Sequence, residues 1–496
     1  MNKKESDKIV NDILTKKSGF WEKTGRNTAL RIFKKARHSI SAYKLFLKKN
    51  NISISQKNTW DEFQKIPTTD KKTYLRSSSL SDLCYSHLAG GIVFSSTSGS
   101  TGKPFYFPRN TTLDWEYSIF LELYLKGIST QYKKRRTLVI IGFGMGVWIG
   151  GLITYKAFEL VNQRTGNLSL ITPGVNKKEI FNALRELSPQ YDQTILVGYP
   201  PFIKDIIDEA QEEAVEINKL NIKFIFAAEA FTEAFREYLV DKTKVGNLHT
   251  ETANIYGTAD IGAMAFETPT SILIRRLVLS QPTLTEKVFG KINRTPTLTQ
   301  YNPHFVHFET IKNEIVLTGD SEIPLVRYAV GDHGGTYSFA ELKKILAEAG
   351  IDIGKEAKKN KIKIYELPFV FVYERTDLST TLYGLQIYPE TIREVLLRKK
   401  FQSSLTGKFT LLTTFDAEKN QFLEIHIEQK RNKKINLVEQ NLLLEAIIQN
   451  LRITNSEFRE LSDMLGERAN PKLLFWNLGD PIYFPVGIKQ KWVQKI

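Results

Sequence analysis

A segment rich in hydroxyl groups and glycine, residues 97–104, carries the residue types that bind phosphate. It reads Thr-Ser-Gly-Ser-Thr-Gly-Lys-Pro and lies between two apolar runs, 91–94 and 105–107, which predict short flanking strands. Glycine lets backbone N–H groups approach an anion, and the hydroxyls and the lysine add donors. The segment is not a Walker A loop, which needs glycine where Thr97 stands and Ser or Thr where Pro104 stands. A polar turn between strands explains the segment alone equally well.

Three later segments place aromatic rings and carboxylates beside small residues. They are 256–260 (Tyr-Gly-Thr-Ala-Asp), 328–332 (Tyr-Ala-Val-Gly-Asp) and 375–377 (Arg-Thr-Asp). A carboxylate such as Asp332 can accept hydrogen bonds from two neighbouring hydroxyl groups, although an Asp in an exposed turn is the ordinary alternative. A final segment, 487–491, contains two lysines near the end of the chain. Each segment alone is a weak signal.

The order and spacing of these segments resemble the adenylate-forming enzyme superfamily. Five matching motifs spread over about 400 residues are far more specific than any one of them. The branch that the sequence resembles most is that of the phenylacetate–CoA ligases and the capsular polysaccharide biosynthesis adenylation proteins, through Pro-Leu-Val-Arg-Tyr at 324–328. The resemblance implies that the protein uses ATP and Mg²⁺ to convert a carboxylic acid into an acyl-adenylate, with coenzyme A as the default acceptor of the acyl group.

The resemblance also implies nucleotide contacts for the matching residues. The contacts to the β- and γ-phosphates would come from Thr97, Ser98, Ser100, Thr101 and Lys103. The contacts to the rest of the nucleotide would come from Glu229, Tyr256, Gly257, Thr258, Asp332 and Arg375. Among these, Tyr256 would stack on adenine, the backbone at Glu229 would flank it, and Asp332 with Arg375 would hold the ribose.

Two residues would act in catalysis according to the same resemblance. Asp260 would be the carboxylate beside the magnesium ion, and Lys489 would reach the α-phosphate and the substrate carboxylate. Lys491 is the alternative to Lys489, because Ile488 interrupts the Gly-Lys pair of the family here. Asp377 would be the hinge about which a small domain turns.

The acid-binding pocket is expected beside a glycine-rich segment, 142–151. This segment follows a predicted buried strand, 136–141, and contains Phe143, Met145 and Trp148. The resemblance implies that these side chains offer apolar surface to the acid. Close packing of a helix on a sheet explains the small residues of the segment equally well.

Three positions depart from the family pattern. Ala259 stands where the family has threonine, Asp260 where it has glutamate, and Glu374 where it has glycine. A protein that binds a nucleotide without catalysing a reaction is therefore one alternative. Transfer of the acyl group to an amine or a hydroxyl group, rather than to coenzyme A, is another.

Alternating strands and helices between the motifs predict an α/β fold with a mainly parallel sheet. Strands are expected at 194–199 and 223–227, and helices at 201–216 and 232–240. Residues 272–332 are expected to be rich in strands. The alternation places the ends of several strands, and the motifs that follow them, at one edge of the sheet.

The sequence changes character near residue 374, which divides it into two predicted domains. Residues 1–373 would form a large N-terminal adenylation domain of mixed sheets and helices, and residues 374–496 a small α+β domain. In the resembled family the small domain is a mobile lid over the active site.

The composition of the sequence argues against several other classes of protein. The 496 residues include 42% hydrophobic and 25% charged residues, as in folded proteins of more than one domain. The sequence shows no apolar run long enough for a membrane span and no apolar leader. The single cysteine, Cys84, excludes an internal disulfide and a multi-cysteine zinc site. We therefore expect a cytoplasmic protein.

The formal net charge of +15 raises the question of a polyanionic partner. The lysines are scattered, and no nucleic-acid-binding motif accompanies them, so we expect no nucleic-acid partner. The same positive field favours ATP. The seven histidines lack the spacing of a metal site, and the sequence does not indicate an oligomeric state.

Overall fold

A computed structural model describes residues 3–53, 55, 57–89, 92–96, 105–145, 149–290, 296–375, 380–396, 398–484 and 493–494. The described residues up to 375, here the N-terminal unit, contain a group of helices and a large mixed sheet. Those from 380 onward, here the C-terminal unit, form a smaller α+β structure. In these ranges no helix is long and apolar enough to cross a membrane.

Helices occupy the first part of the chain, where apolar residues recur at helical spacing between basic ones. Their bounds are α1 (Lys3–Thr15), α2 (Ser18–Ser39), α3 (Ser41–Lys49), α4 (Trp60–Gln64) and α5 (Leu80–Leu83). Helix α4 begins with a capping box between Thr59 and Glu62 and ends before Pro67. A π-helical turn, Lys71–Leu75, follows, and the Asp70 side chain caps it.

The two strands predicted beside the phosphate-type segment are present. They are β1 (Val93–Ser96) and β2 (Tyr106–Arg109), and they pair antiparallel with Ser96 opposite Tyr106. The segment 97–104 between them lies outside the described residues. The expectation of two short flanking strands is confirmed.

The next strands build one large sheet. Their bounds are β3 (Thr137–Gly142), β4 (Leu168–Ile171), β5 (Gln193–Gly198), β6 (Ile222–Ala227), β7 (Thr252–Thr258), β8 (Gly262–Phe266), β9 (Thr297–Gln300), β10 (Val306–Ile311), β11 (Glu314–Gly319), β12 (Leu325–Tyr337) and β13 (Phe369–Arg375). In the described part of the chain the order across the sheet is β10-β11-β12-β13-β9-β8-β7-β6-β5-β3-β4. The strands expected at 136–141, 194–199 and 223–227 are confirmed as β3, β5 and β6.

The sheet is mixed rather than mainly parallel, which corrects the expectation. Strands β3 to β7 run parallel to their neighbours within that group. Strands β8 to β13 pair antiparallel. Helices that connect strands do not by themselves fix a parallel arrangement here, because α12 and α13 lie between the antiparallel neighbours β8 and β9, and α14 and α15 between β12 and β13.

Helices cover both faces of the sheet. Their bounds are α6 (Thr111–Ile128), α7 (Ile149–Thr165), α8 (Lys177–Glu186), α9 (Pro200–Glu209), α10 (Glu233–Thr243), α11 (Leu248–Glu251), α12 (Pro269–Leu279), α13 (Pro282–Phe289), α14 (Phe339–Glu348) and α15 (Ile353–Lys359). On β3, Leu138 and Ile140 belong to one hydrophobic cluster and Val139 and Ile141 to another. This alternation explains the unbroken apolar run of a strand that is buried on both faces.

Two expected elements differ from the structure. The helix expected at 201–216 ends at Glu209 as α9, and Ala214 beyond it has a left-handed backbone with φ of 55°. The expectation that 272–332 is rich in strands is wrong at its start, where helices α12 and α13 lie. Both helices begin with proline at the first turn, which favours helix initiation despite the β-branched residues that follow.

The C-terminal unit has two small sheets and three α-helices within the described residues. Its elements are β14 (Thr380–Leu382), β15 (Leu385–Ile387), α16 (Pro389–Leu396), β16 (Leu405–Phe415), β17 (Gln421–Gln429), α17 (Leu437–Thr454), α18 (Ser456–Leu465), β18 (Lys472–Trp476) and β19 (Val493–Gln494). Strands β14 and β15 pair with each other, and the larger sheet has the order β18-β17-β16-β19. The large sheet ends at Arg375 and this unit starts at Thr380, but separate movement of the two stays a prediction.

An apolar contact joins the two units. One hydrophobic cluster contains Phe202 and Ile203 of α9 together with Leu382, Leu385 and Ile387 of the C-terminal unit. All five are at most 6% exposed. Each Å² of apolar surface removed from water stabilises by about 25 cal/mol. The apolar contact therefore favours the docked arrangement of the units.

Candidate active site

A cleft of about 900 Å³ opens at the carboxyl ends of the central parallel strands. Tyr199, Ala228 and Thr258, which end or follow β5, β6 and β7, line one side of it. The C-terminal unit lines another side with residues such as Tyr383 and Leu461. Open α/β sheets bind their ligands at this edge, so the cleft is where the predicted site residues are expected to meet.

The segment before the π-helical turn is fixed to strand β12. The carbonyl of Thr69 accepts a hydrogen bond from the N–H of Ala329 at 2.8 Å, and the N–H of Thr69 donates to the carbonyl of Arg327 at 3.0 Å. Arg327 has a left-handed backbone with φ of 45°, and its guanidinium donates to the carbonyl of Ile66. These contacts position Lys71 at the edge of the cleft.

Lys71 and Asp260 form an ion pair in the cleft wall. Nζ of Lys71 lies 3.0 Å from Oδ1 of Asp260, and the hydroxyl of Tyr328 donates to Oδ2 of Asp260 at 2.6 Å. The Asp260 side chain is 4% exposed, whereas that of Lys71 is 33% exposed. All three residues line the cleft. Lys71 therefore presents a positive charge to a ligand there, and Asp260 holds it in place.

Sequence reasoning assigned no role to Lys71 or Tyr328. The lysine follows Pro-Thr-Thr-Asp at 67–70, and the tyrosine opens the segment 328–332. The position of this lysine, in a short segment before the phosphate-type loop, could have indicated a site residue. Its pairing with Asp260 depends on the contact between Thr69 and β12, which the sequence pattern does not show.

The role of Asp260 as a magnesium ligand stays a prediction. Both carboxylate oxygens of Asp260 are engaged, one by Lys71 and the other by Tyr328. In the part of the chain that the structure describes, no three His, Cys, Asp or Glu side chains are grouped so that they could hold a metal. Magnesium is often bound chiefly through substrate phosphates, so it would have to enter with the nucleotide.

The Tyr-Gly segment forms the end of β7 and the turn into β8. Gly257 has no room for a side chain, because a Cβ there would lie 2.7 Å from the carbonyl oxygen of Gly262. The buried hydroxyl of Thr258, which lines the cleft, has no hydrogen-bond partner among the described residues. A buried hydroxyl without a partner is costly. Thr258 is therefore available to donate to a ligand.

Tyr256 and Asp332 are hydrogen-bonded to each other. The tyrosine hydroxyl donates to Oδ2 of Asp332 at 2.6 Å, and the two residues are 8% and 5% exposed. The backbone of Arg375 lies opposite Asp332 in the pairing of β12 with β13. The structure thus brings these three predicted nucleotide residues together, with Tyr256 and Asp332 buried beside the cleft-lining residues Gly257 and Gly331.

Glu229 joins the N-terminal unit to the C-terminal unit. Its carboxylate accepts hydrogen bonds from the N–H of Gly384 and, at 3.1 Å, from Nε2 of Gln421. Burial raises the pKa of Glu229 from 4.5 to about 7, although these two donors lower it. Ala228 lines the cleft beside it. The Glu229 side chain is therefore directed at the C-terminal unit, and contact of its backbone with adenine stays a prediction.

A charged cluster joins the same two units along α9. Nη2 of Arg468 lies 2.8 Å from Oδ1 of Asp205, and Nη1 lies 3.1 Å from Oε1 of Glu209. Nζ of Lys177 lies 2.6 Å from the same Glu209 oxygen. Burial raises the pKa of Asp205 above its ordinary value, although Lys177 and Arg468 lower it. The cluster adds a specific polar contact to the apolar one between the units.

The wall of the cleft beside α7 is largely apolar. Phe143, Ile153 and Ile255 line it and are 1%, 7% and 8% exposed. The ring of Phe143 packs edge-on against that of Tyr199, with 5.0 Å between centroids. Met145 is half-buried next to α7, where its sulfur leaves no room for a Cβ on Gly151. Of the three residues predicted for the acid pocket, the structure places Phe143 in the cleft wall.

Several predicted site residues lie outside the described residues. They are Thr97, Ser98, Ser100, Thr101 and Lys103 of the phosphate-type loop, Trp148 of the acid pocket, the hinge residue Asp377, the catalytic candidate Lys489 and its alternative Lys491. Their roles stay predictions. The described part of the site consists of Lys71, Asp260, Thr258 and the apolar wall around Phe143.

No protein-family model matches the chain, and no curated protein matches it. Solved structures do match it. The chain is similar to 2-hydroxyisobutyryl-CoA ligase in complex with 2-HIB-AMP and CoA in the thioesterification state, with a TM-score of 0.65 and 14% identity over 98% of this chain and 91% of that one. The same ligase in the postadenylation state with 2-HIB-AMP gives a TM-score of 0.52 and 13% identity over 98% and 91%. An open conformation of that ligase, in complex with 2-HIB-AMP and CoA, gives a TM-score of 0.52 and 14% identity over 97% of this chain and 93% of that one.

Identities this low establish the fold alone. The match covers nearly the whole of each chain, and it confirms the expected α/β class with a large sheet and a smaller C-terminal part. The TM-score is higher for the thioesterification state than for the postadenylation state of the same ligase.

Proposed function

We propose that the protein is an adenylate-forming ligase that activates a carboxylic acid with ATP and passes the acyl group to a thiol, coenzyme A by default. The observation that carries the proposal is the composition of the cleft. A lysine held by a buried carboxylate and an unpartnered threonine hydroxyl share this volume with an apolar wall. Such a site suits a phosphate group next to an apolar acid. The fold, which matches a ligase solved with an acyl-adenylate, supports the same conclusion.

The first half-reaction joins the acid to the nucleotide. An oxygen of the acid's carboxylate bonds to the α-phosphorus of ATP, and the bond from that phosphorus to pyrophosphate breaks. Negative charge is spread over the phosphate oxygens during this displacement. Lys71, positioned by Asp260 and Tyr328, supplies positive charge, and the hydroxyl of Thr258 supplies a hydrogen bond. Lys103 and Lys489 would add further charge, as the sequence resemblance predicts.

The second half-reaction releases AMP. The sulfur of the acceptor thiol bonds to the acyl carbon, the thiol proton passes to solvent, and the bond between that carbon and the AMP oxygen breaks. The acceptor would enter between the units, where Tyr383 and Gly384 of the C-terminal unit line the cleft. Magnesium would neutralise phosphate charge when it enters with the nucleotide.

One observation favours an amine as a second candidate acceptor. Glu457 lines the cleft on the C-terminal unit with Leu461 and Met464, which lie on the same face of α18. Burial and the charge of Glu460 raise the pKa of Glu457 from 4.5 to about 7, and no described cation offsets them. A carboxylate in this position would bind an ammonium group and accept its proton before the nitrogen attacks the acyl carbon.

Pyrophosphate release with ATP and a panel of carboxylic acids tests the proposed function. Lys71→Met should lower the rate by about 10²–10³, the effect of removing one charge-stabilising group. Lys65→Met is the control, because Lys65 is exposed at the end of α4. The double variant Lys71→Met/Asp260→Asn avoids leaving a buried carboxylate unpaired.

The outcomes separate the alternatives. ATP binding without pyrophosphate release from any acid would favour a non-catalytic nucleotide-binding protein. Full activity of a folded Lys71→Met variant would contradict the role of Lys71. Product formation with coenzyme A or with primary amines then identifies the acceptor, and Glu457→Gln should slow only transfer to amines.

A further inference from the structure

A pair of buried hydroxyl groups interrupts the apolar wall of the cleft. Tyr117 on α6 and Thr154 on α7 both line the cleft, and they are 3% and 1% exposed. The tyrosine oxygen lies 3.3 Å from Oγ1 of Thr154. Their neighbours in the wall include Phe143, Ile153 and Ile255, which are apolar. The pair is a polar feature of a largely apolar surface.

The hydrogen bonds of this pair are incomplete. Two hydroxyl groups carry two hydrogens, and their mutual bond uses one of them. No further hydrogen bond of either group is formed with the described residues. Burial raises the pKa of the Tyr117 hydroxyl well above its ordinary value, so the group stays protonated. One O–H donor and the remaining oxygen lone pairs are therefore left for a ligand.

The pair is separate from the phosphate-binding part of the cleft. Tyr117 and Phe143 belong to the hydrophobic cluster that contains Val139 and Ile141 of β3. Tyr328 belongs to a different cluster, on the side of the cleft where Lys71 and Asp260 form their ion pair. The hydroxyl pair therefore lies on the side expected to receive the body of the acid rather than the nucleotide phosphates.

We infer that Tyr117 and Thr154 form a specificity subsite for a carboxylic acid whose apolar body carries a hydroxyl group away from the carboxylate. The inference rests on the proposed function and names the class of acid that it uses. The substrate hydroxyl would donate to one oxygen of the pair and accept from the free hydrogen of the other. An acid without this hydroxyl would leave the buried pair incompletely bonded, which is the usual basis of strong discrimination.

Matched acids test the inference directly. The probes are 4-hydroxybenzoate against benzoate, 4-hydroxyphenylacetate against phenylacetate and 3-hydroxybutyrate against butyrate. In the pyrophosphate-release assay at least one hydroxylated acid should have a kcat/KM about 10- to 100-fold above that of its partner. Tyr117→Phe and Thr154→Val should each reduce this ratio about tenfold, because the rate with the hydroxylated acid should fall more than the rate with its partner acid.

Tyr124→Phe is the matched control on the same helix. The hydroxyl of Tyr124 donates to the carbonyls of Phe224 and Glu251, away from the residues that line the cleft. Its removal should leave the preference between paired acids unchanged. A change in preference with Tyr124→Phe as large as that with Tyr117→Phe would mean that the effect is general loosening of α6, and it would overturn the inference.

Binding measurements separate the failure of the inference from that of the proposed function. Calorimetric titration of the same acids needs no turnover. A hydroxyl preference in binding without pyrophosphate release would leave the subsite intact and refute the proposed function. Pyrophosphate release with equal or better use of the acids that lack the hydroxyl would refute the subsite alone. Absence of both binding and turnover with every hydroxylated acid would also overturn it.

Discussion

Glu229 should make the docking of the two units depend on pH near neutrality. Its carboxylate faces Gly384 and Gln421 of the C-terminal unit, and burial raises its pKa from 4.5 to about 7. The raised pKa means that the docked state binds a proton more tightly than the unfolded state does. Stability from this group is therefore fully present below about pH 4.5 and is lost as the pH rises through about 7.

The size of the effect follows from the two pKa values. Each unit of pKa is worth about 1.4 kcal/mol, so the full change from 4.5 to about 7 corresponds to roughly 3 kcal/mol. Between about pH 5.5 and about pH 8.5 the expected loss of unfolding free energy is about 2 kcal/mol. Glu229→Gln mimics the protonated form and should remove this dependence.

The assay is denaturant unfolding of the wild type and of Glu229→Gln at both pH values, with the difference between the proteins taken at each. In the difference between the unfolding free energies of the two proteins, the contributions of all other titrating groups cancel. Glu212→Gln is the control, because Glu212 is exposed beyond the end of α9. It should follow the wild type at both pH values.

Two results would refute this reasoning. A difference between wild type and Glu229→Gln that does not change with pH would mean that Glu229 is solvated and the units are not packed as described. A wild type that gains stability relative to Glu229→Gln as the pH rises would mean that the donors from Gly384 and Gln421 outweigh burial. In that case the pKa of Glu229 lies below 4.5 rather than near 7.

Two predictions concern packing. Asp205→Asn and Arg468→Met should each weaken docking, and a double-mutant cycle on unfolding free energy should give a coupling of about 1 kcal/mol, because Arg468 is 41% exposed; a coupling of zero would remove this ion pair from the interface. Gly334→Ala should destabilise strongly, by more than about 3 kcal/mol, because its Cβ would lie 1.8 Å from the carbonyl oxygen of Phe371. Gly19→Ala lies in helix α2 with open space around the added Cβ, so in thermal unfolding it should not destabilise and should stabilise by up to about 1 kcal/mol.

The sequence pattern predicted strands correctly where an apolar, β-branched run is also buried in the fold. Strands β3, β5 and β6 are apolar and β-branched, and both faces of β3 are buried, so their positions follow from the sequence. The expectation failed at α12, where Thr268 and Pro269 start a helix in a stretch rich in isoleucine and leucine. Capping chemistry outweighs β propensity there, because it satisfies the first free N–H groups of the helix.

The candidate site was only partly predictable for a different reason. Asp260, Thr258 and Phe143 were found because each lies in a short motif that the sequence displays. Lys71 reaches Asp260 only because Thr69 is bonded to β12, and the hydroxyl of Thr69 donates to a residue 257 positions away. The pairing of Tyr117 with Thr154 likewise depends on how α6 packs against α7. Motifs report residues that share a segment, whereas these contacts join segments that meet only in the folded chain.

The two sides of the cleft divide the proposed reaction between the two units. Lys71, Asp260, Thr258 and the apolar wall all belong to the N-terminal unit, so the described residues for adenylation are complete without the C-terminal unit. Glu457 and other residues placed to meet an acceptor belong to the C-terminal unit and reach the cleft only when it is docked. Under the proposed function, changes at Lys71 act on activation of the acid, whereas changes at the interface act on every step that needs a residue of the C-terminal unit, Lys489 included. The interface contacts formed by Glu229 therefore connect the docking equilibrium to the steps of the proposed reaction that need residues of the C-terminal unit.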